Sequence, residues 1–136
     1  MESFLLTCSK LYLGDEPMIY GTGIDLTEID RVTKVQMQHQ KFAKRVLTPK
    51  EQKIYQKYSG VRAHEFLAGR FSAKESYSKA FGTGLGSGVG FQEIEILDEP
   101  SGRPRVTQQP FNGIAHVSIT HTKQYVMTQV ILEKEG

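Results

Sequence analysis

Apolar and polar residues alternate in several segments of the chain, with a period of two that is typical of strands with one buried face. "MIYGTGIDL" (Met18–Leu26) is such a segment, thinned by glycines, and "FQEIEIL" (Phe91–Leu97) alternates isoleucine with glutamate. Further along, "IAHVSIT" and "YVMTQVIL" are β-rich runs joined by "HTKQ". These two runs predict an antiparallel hairpin.

Between the first strand and the later ones, the apolar residues follow the longer period of a helix. Thr27 can serve as the N-cap of a helix that begins at Glu28, with Asp30 three residues on as a weak capping-box partner. The segment "KFAKRVL" (Lys41–Leu47) predicts a short helical or irregular piece.

A second helix start is marked more clearly. Thr48 is the predicted N-cap, Pro49 occupies the first turn, and Glu51 is placed to reach back to the cap. A long helix follows from about Arg62 to Phe81, and a glycine at position 82 suits its C-terminal cap. A strand, several helices and then a β-meander together predict an α+β domain.

The chain of 136 residues has the length of one domain with a core of its own. Residues 1–17 end in a turn-forming segment, "GDEP", and we expect them to be an N-terminal appendage that comes from an upstream start or an added sequence. The predicted functional domain is 18–136. The appendage lacks the features of a signal peptide, and no apolar run approaches the ~18 residues that span a bilayer. With one cysteine, Cys8, the composition fits a reducing cytoplasm.

Positive charge is concentrated in the segment 41–62, although the formal net charge of the chain is only +2. This segment contains one acid, Glu51, and the following bases: Lys41, Lys44, Arg45, Lys50, Lys53, Lys57 and Arg62. Such a segment favours an acidic partner, although from charge alone a solvated helix face is the more common explanation.

The end of the long helix carries residues that could perform chemistry. Glu75 and Lys79 are four residues apart, so they lie on one helix face, where such a pair is most often a surface ion pair. Alternate glycines follow, and glycines permit close approach of the backbone to a phosphate. Asp25, at the end of the first strand, would complete a two-carboxylate site of the kind that binds Mg²⁺, unless it only caps the strand end.

Other kinds of site find less support in the residues. His121, in "SITHT", could donate to a phosphate or play a structural role, and the remaining histidines have no informative context. Zinc is disfavoured because no Cys/His cluster has the required spacing. The chain has no P-loop motif and no evident Ser or Cys nucleophile paired with His and Asp.

Three segments together resemble a known family: "GTGIDLTEIDR" (Gly21–Arg31), "FLAGRFSAKESYSKAFGTGLG" (Phe66–Gly86) and "VSITHT" (Val117–Thr122). They are similar to the bacterial holo-[acyl-carrier-protein] synthases, the small trimeric class of 4′-phosphopantetheinyl transferases. The resemblance extends from Met18 to about Lys134. Ser76 stands where the family usually has alanine, a change that a helix tolerates. Lys41 stands where an arginine is frequent, which keeps the charge.

The resemblance implies roles for individual residues. Asp25 and Glu75 match the Mg²⁺ ligands, and Lys79 matches the catalytic lysine beside the pyrophosphate of coenzyme A. Arg70 and His121 fall where the family binds the 3′-phosphate end of coenzyme A. The glycines implied to line the nucleotide are Gly82, Gly84 and Gly86. The positions implied to meet the acidic helix of acyl carrier protein are Arg31, Lys41, Phe42, Arg45 and Phe71.

The resemblance also implies the reaction and the assembly. A serine of the apo carrier protein would attack the β-phosphorus of coenzyme A, with Glu75 or Lys79 as the proton acceptor, in support of fatty acid biosynthesis in the cytoplasm. Three chains would pack their sheets around an axis, with an active site at each subunit boundary. Two other classes use the same residues: a Mg²⁺-dependent phosphohydrolase, and a nucleic-acid-binding module built on segment 41–62. No recognisable nucleic-acid-binding motif supports the second class, and we expect neither nucleic acid nor membrane as a partner.

Overall fold

A computed structural model describes residues 18–86 and 88–135. It confirms the α+β class, with helices grouped between the first strand and four later strands. The predicted appendage 1–17 lies outside the described residues. No helix in the described part of the chain is long and apolar enough to cross a membrane.

Four α-helices and five strands make up the described chain. The helices are α1 (Ile29–Gln38), α2 (Phe42–Val46), α3 (Pro49–Lys57) and α4 (Gly60–Phe81), followed by a short 3₁₀ helix (Phe91–Glu93). The strands are β1 (Ile19–Glu28), β2 (Glu95–Asp98), β3 (Pro104–Gln108), β4 (Ile114–His121) and β5 (Tyr125–Glu133).

The strands form two antiparallel sheets. The larger sheet has the order β1-β5-β4, and the smaller one pairs β2 with β3. The predicted hairpin is confirmed as the β4–β5 pair, in which Val117 lies opposite Val130. Strand β1 adds to the other edge of β5, with Asp25 opposite Thr128. The residues near the two ends of the chain are thus neighbours in one sheet.

Helix α4 is the central element, because it packs on the larger sheet and also contacts the other three α-helices. Its apolar residues contribute to both hydrophobic clusters, Leu67 to one and Tyr77 to the other. Polar side chains such as Ser72 and Ser78 are also buried along it, so the helix has no single apolar stripe. Gly82 ends it at φ 96°, which confirms the predicted C-terminal cap.

The start of α3 is as the sequence predicts. The Thr48 hydroxyl accepts from the Glu51 backbone N–H, and the Glu51 carboxylate accepts from the Thr48 backbone N–H. With Pro49 in the first turn, this is a complete capping box.

The predicted start of the first helix is wrong. Strand β1 continues to Glu28, which precedes α1 as its N-cap residue and makes no side-chain capping bond. Thr27 remains in the strand, and its hydroxyl donates to the carboxylate of Asp25 instead of capping the helix. Pairing with β5 holds the backbone of Thr27 extended, and a local helix-start signal cannot reveal such pairing.

The predicted strand over Phe91–Leu97 is also shorter than expected. Residues Phe91–Glu93 form the 3₁₀ helix, and the strand begins only at Glu95. Glu95 is buried rather than solvent-facing, because its carboxylate accepts from the hydroxyls of Thr48 at 2.7 Å and Thr107 at 2.8 Å. Two hydroxyl donors therefore satisfy a charge that the alternating pattern assigns to the surface.

An ion pair is fully buried beneath α4. The Lys74 ammonium donates to Glu51 at 2.6 Å and to the carbonyls of Val46 at 2.6 Å and Phe91 at 3.0 Å. The second Glu51 carboxylate oxygen accepts from the backbone N–H of Ile96 at 2.8 Å. Burial lowers the pKa of Lys74, while the Glu51 carboxylate opposes that shift. This network joins α2, α3, the 3₁₀ helix and β2 to the central helix.

We predict that Lys74→Met strongly destabilises the fold, because it leaves the Glu51 carboxylate buried without its cation. The expected loss is about 3–5 kcal/mol of the free energy of unfolding. Urea denaturation measures it, with Lys34→Met, at an exposed site on α1, as the matched control that stays within about 0.5 kcal/mol of the wild type. Similar unfolding midpoints for the two variants would contradict the role of Lys74.

Candidate metal and phosphate site

Asp25 and Lys79 are brought together at the boundary between β1 and α4. The Lys79 ammonium donates to the Ile24 carbonyl at 2.9 Å and lies 3.5 Å from the Asp25 carboxylate. The Asp25 side chain is 14% exposed, whereas that of Lys79 is 53% exposed. The carboxylate is therefore held in place by the protein, while the ammonium remains open to a ligand.

Two glycines in β1 allow this approach. A Cβ atom at Gly21 would lie 2.0 Å from the carbonyl oxygen of Ala80, and one at Gly23 would lie 1.9 Å from that of Ser76. Both distances are far below van der Waals contact, so the helix backbone rests directly on the strand backbone. Glycine is required at these positions for close packing, since no side chain fits between the two elements.

A chain of buried hydroxyls orients Asp25. The Ser72 hydroxyl donates to the carboxylate at 2.7 Å and lies 2.9 Å from the Thr128 hydroxyl. Thr128 lies in turn 2.6 Å from the Ser76 hydroxyl, which also contacts the Thr128 carbonyl. Reasoning from the sequence missed Ser72 and Thr128 and took Ser76 as a neutral change. The available signal was a pair of serines four residues apart on one face of a buried helix.

Glu75 lies on the same side of α4 as Lys79. Its pKa is raised, first because burial disfavours the charged carboxylate and second because the negative charge of Asp25 is nearby. The positive charges of Lys79 and Arg31 oppose this rise. Because the two carboxylates influence each other in this way, they form one electrostatic unit to which both cations belong.

The donor set fits a hard divalent cation such as Mg²⁺. Asp25 and Glu75 offer carboxylate oxygens, and Mg²⁺ is commonly bound by one or two carboxylates with its other positions taken by water and substrate phosphate. Residues 18–86 and 88–135 contain no cluster of three or more His, Cys, Asp or Glu side chains of the kind a closed protein cage requires. A cation held by these two carboxylates would thus need further oxygen ligands from outside the chain.

The glycine segment after Lys79 turns sharply. Gly82, Gly84 and Gly86 all have positive φ, at 96°, 72° and 98°. Their N–H groups are used within the chain, since those of Gly82 and Gly84 donate to the Ser78 carbonyl and that of Gly86 to the Val89 carbonyl. The nucleotide contact expected of these glycines stays a prediction, and it would rest on the space above them rather than on free N–H groups.

Arg70 and His121 line a separate depression of about 430 Å³ near the other end of α4. Arg70 is buried and donates to the Ile96 carbonyl at 3.0 Å and to Asp98 at 3.1 Å, so it also fastens α4 to β2. His121 is exposed and lies 2.8 Å from the Glu65 carboxylate. The structure therefore brings these two residues together, and their predicted contact to a phosphate stays a prediction.

The predicted partner residues also gather on one surface. Lys41, Phe42 and Arg45 line a depression of about 630 Å³ between α1 and α2. Phe71 packs against Phe42, with the ring centroids 5.8 Å apart and the ring planes tilted by 47°. Arg31 is exposed on α1, and its positive charge opposes the rise in the pKa of Glu75. One predicted partner residue therefore lies within electrostatic range of the carboxylate site.

Comparison with known proteins gives a consistent result. Residues 21–130 match the family model of the 4′-phosphopantetheinyl transferase superfamily. A holo-[acyl-carrier-protein] synthase of Levilactobacillus brevis is 63% identical over 117 residues, which cover 86% of this chain and 96% of that protein.

Solved structures show the same likeness. A holo-(acyl-carrier-protein) synthase from Bacillus anthracis, in complex with CoA (3′,5′-ADP), is 42% identical with a TM-score of 0.81, covering 87% of this chain and 99% of that one. The holo-[acyl-carrier-protein] synthase of Neisseria meningitidis is 31% identical with a TM-score of 0.78, covering 86% of this chain and all of that one (100%).

We predict that Gly23→Ala destabilises the packing of α4 on β1, since its methyl group would overlap the Ser76 carbonyl. The expected loss is about 1–3 kcal/mol of the free energy of unfolding, measured by urea denaturation. Gly90→Ala is the matched control, because Gly90 has φ −95° and a Cβ there meets nothing within 4 Å. Equal stability of the two variants would show that the close approach is not required.

Proposed function

The chain belongs to the 4′-phosphopantetheinyl transferase superfamily, and we propose that it transfers 4′-phosphopantetheine from coenzyme A to a serine of apo acyl carrier protein. The observation that carries this proposal is the convergence of Asp25, Glu75 and Lys79 where β1 meets α4. Two carboxylates beside an accessible ammonium suit a reaction at a diphosphate. The names of the relatives and the coenzyme A complex of the Bacillus anthracis protein support the same substrate pair.

In the proposed reaction, the serine oxygen of the carrier protein forms a bond to the β-phosphorus of coenzyme A. The bond from that phosphorus to the bridging diphosphate oxygen breaks, and adenosine 3′,5′-bisphosphate leaves with the electron pair. The serine proton passes to a base. Catalysis of phosphoryl transfer depends mainly on positioning and on charge neutralisation, and both can be supplied by fixed side chains.

Asp25 and Glu75 would hold Mg²⁺, which supplies Lewis-acid polarisation of phosphate oxygens when bound. Lys79 places its ammonium beside Asp25 and would stabilise the negative charge that develops on the departing 5′-phosphate of adenosine 3′,5′-bisphosphate. Its bond to the Ile24 carbonyl orients the side chain before any ligand arrives. Little reorganisation is then needed during the reaction.

Glu75 is the proposed acceptor of the serine proton. Burial and the charge of Asp25 raise the pKa of Glu75 in the chain without a metal ion, and a bound Mg²⁺ would oppose this rise. The groups proposed to contact the nucleotide end of coenzyme A are Arg70 and His121, which line one depression, and the turn formed by Gly82, Gly84 and Gly86. These two sets lie toward opposite ends of α4, so they would act together across a subunit boundary of the proposed trimer.

The carrier protein would dock on the surface formed by Lys41, Phe42 and Arg45, with Phe71 packed against Phe42. Carrier proteins of this kind present an acidic recognition helix, and the exposed bases supply the opposite charge. Arg31 is exposed on the same helix, α1, as part of the lining of this depression, and its charge acts on Glu75, so we place it in the same docking surface.

We further propose a homotrimer assembled through the larger sheet. The face of that sheet opposite α4 exposes Ile24 (58%), Leu26 (64%) and Met127 (44%), which are neighbours across β1 and β5. Contiguous exposed apolar side chains of this kind mark an interaction surface. Asp25 alternates with Ile24 and Leu26 along β1, so its side chain lies on the opposite, α4-facing side of this edge strand. A neighbour packed on the apolar face would therefore approach the reaction site around the edge of β1 that is unpaired among the described strands.

The proposed transferase domain spans 18–136, with residues 1–17 as an appendage. The transfer reaction would serve fatty acid biosynthesis, in the cytoplasm, where the single cysteine of the sequence would stay reduced.

Intact-mass spectrometry of apo acyl carrier protein tests the proposed function. We expect incubation with this protein, coenzyme A and Mg²⁺ to add one phosphopantetheinyl group, and excess EDTA to prevent the addition. Release of adenosine 3′,5′-bisphosphate from coenzyme A in the absence of carrier protein would contradict the proposal and indicate a phosphohydrolase. An unmodified carrier protein, tested also with the chain started at Met18, would overturn it.

We predict that Glu75→Gln reduces kcat by at least about 100-fold, since the amide neither accepts the serine proton nor carries the charge that a cation requires. The free energy of unfolding should not fall, because the substitution removes a carboxylate whose charged form is disfavoured by burial. Glu135→Gln, at an exposed position, is the control and should retain full activity. Unchanged turnover by Glu75→Gln would contradict a catalytic role and indicate that Glu75 takes part only in a surface ion pair.

A further inference from the structure

We propose that a basic groove between α2 and α3 is a second contact surface for the acidic carrier protein. The groove has a volume of about 910 Å³, and its cationic lining residues are Lys41, Lys44, Arg45 and Lys53. This inference rests on the proposed function, because it takes the carrier protein as the partner. Lys44 and Lys53 are not among the predicted partner residues, so the groove adds contacts beyond those already expected.

The charge of the groove is unopposed. Glu51 is the only acid between Lys41 and Arg62, and it is turned inward, where Lys74 neutralises it. The acid of this segment therefore contributes nothing to its surface. The ion pairs of the described residues involve none of the four bases that line the groove. An acidic partner could therefore pair with these bases without first displacing an acidic side chain of the same chain.

The floor of the groove is also prepared for an anionic partner. Helix α2 ends here, and the free carbonyls at a helix C-terminus carry partial negative charge that repels acids. The side-chain nitrogen of Gln92, which has two N–H groups, lies within hydrogen-bond distance of three of these carbonyls, those of Lys44 at 2.9 Å, Arg45 at 3.1 Å and Leu47 at 2.7 Å. One neutral side chain thus covers the groups that would oppose binding.

The groove is continuous with the proposed carrier-protein surface. Lys41 and Arg45 line both this groove and the depression between α1 and α2. A single acidic protein that contacts these two bases would therefore reach Lys44 and Lys53 on the far side of α2. The continuity favours one partner spanning both depressions over a separate ligand such as RNA or an anionic membrane.

Isothermal titration calorimetry with apo acyl carrier protein, in the absence of coenzyme A, tests the inference. We expect the double variant Lys44→Glu/Lys53→Glu to weaken Kd by at least about tenfold, with the KM for coenzyme A changed by less than about twofold. The matched control is Lys57→Glu/Lys123→Glu, which makes the same change in net charge at exposed positions outside the groove. The control should change Kd by less than about threefold.

Equal weakening in the two double variants would overturn the inference, because only the overall charge would then matter. Unchanged carrier-protein binding by the groove variant would overturn it as well. If the groove variant binds carrier protein normally but no longer binds a 20-nucleotide RNA or phosphatidylserine vesicles, the groove would be assigned to RNA or to an anionic membrane instead. Wild-type protein that binds carrier protein but transfers nothing would contradict only the proposed function. The calorimetric comparison of the two double variants would still decide whether the groove binds carrier protein.

Discussion

The buried contact between Lys74 and Glu51 determines how the central helix is oriented. Lys74 is held by a carboxylate from α3 and by carbonyls from α2 and the 3₁₀ helix, so this face of α4 cannot rotate away from them. Adjacent helical residues point about 100° apart. Once Lys74 faces the buried network, Glu75 is directed to the side where Asp25 and Lys79 lie. Lys74, which must stay buried in its ion pair, and Glu75, which must reach the reacting groups, are thus consecutive residues.

Much of the fold could be predicted from local patterns, because the capping box at Thr48, the helix end at Gly82 and the β4–β5 hairpin depend on residues close in sequence. The errors arose where distant partners decide. Thr27 resembles a helix cap but pairs with β5, and Glu95 resembles a surface residue but meets hydroxyls from two other elements. The periodicity of apolar residues describes one segment at a time and cannot show contacts with distant segments.

The candidate site shows the same division. Residue types and motif order pointed to Asp25, Glu75 and Lys79, and the structure places Asp25 beside Lys79 in space and within electrostatic reach of Glu75. The supporting role of Ser72 and Thr128 could not be assigned from the sequence, since the spacing of Ser72 and Ser76 marks a polar helix face but does not name Asp25 and Thr128 as its partners until the helix and the sheet are seen in contact. Arg70 illustrates the opposite case, because its motif position implies a ligand contact while its observed bonds also tie α4 to β2.

The direct contact of the α4 backbone with β1 at Gly21 and Gly23 bears on how the site responds to heat. Side chains that separate two elements can change rotamer and let them drift apart gradually, whereas touching main chains leave no such intermediate adjustment. The distance between the carboxylates is then a property of the hydrogen-bonded framework itself. Loss of the site on warming should coincide with cooperative melting of the sheet, without an earlier loosening of the reaction centre.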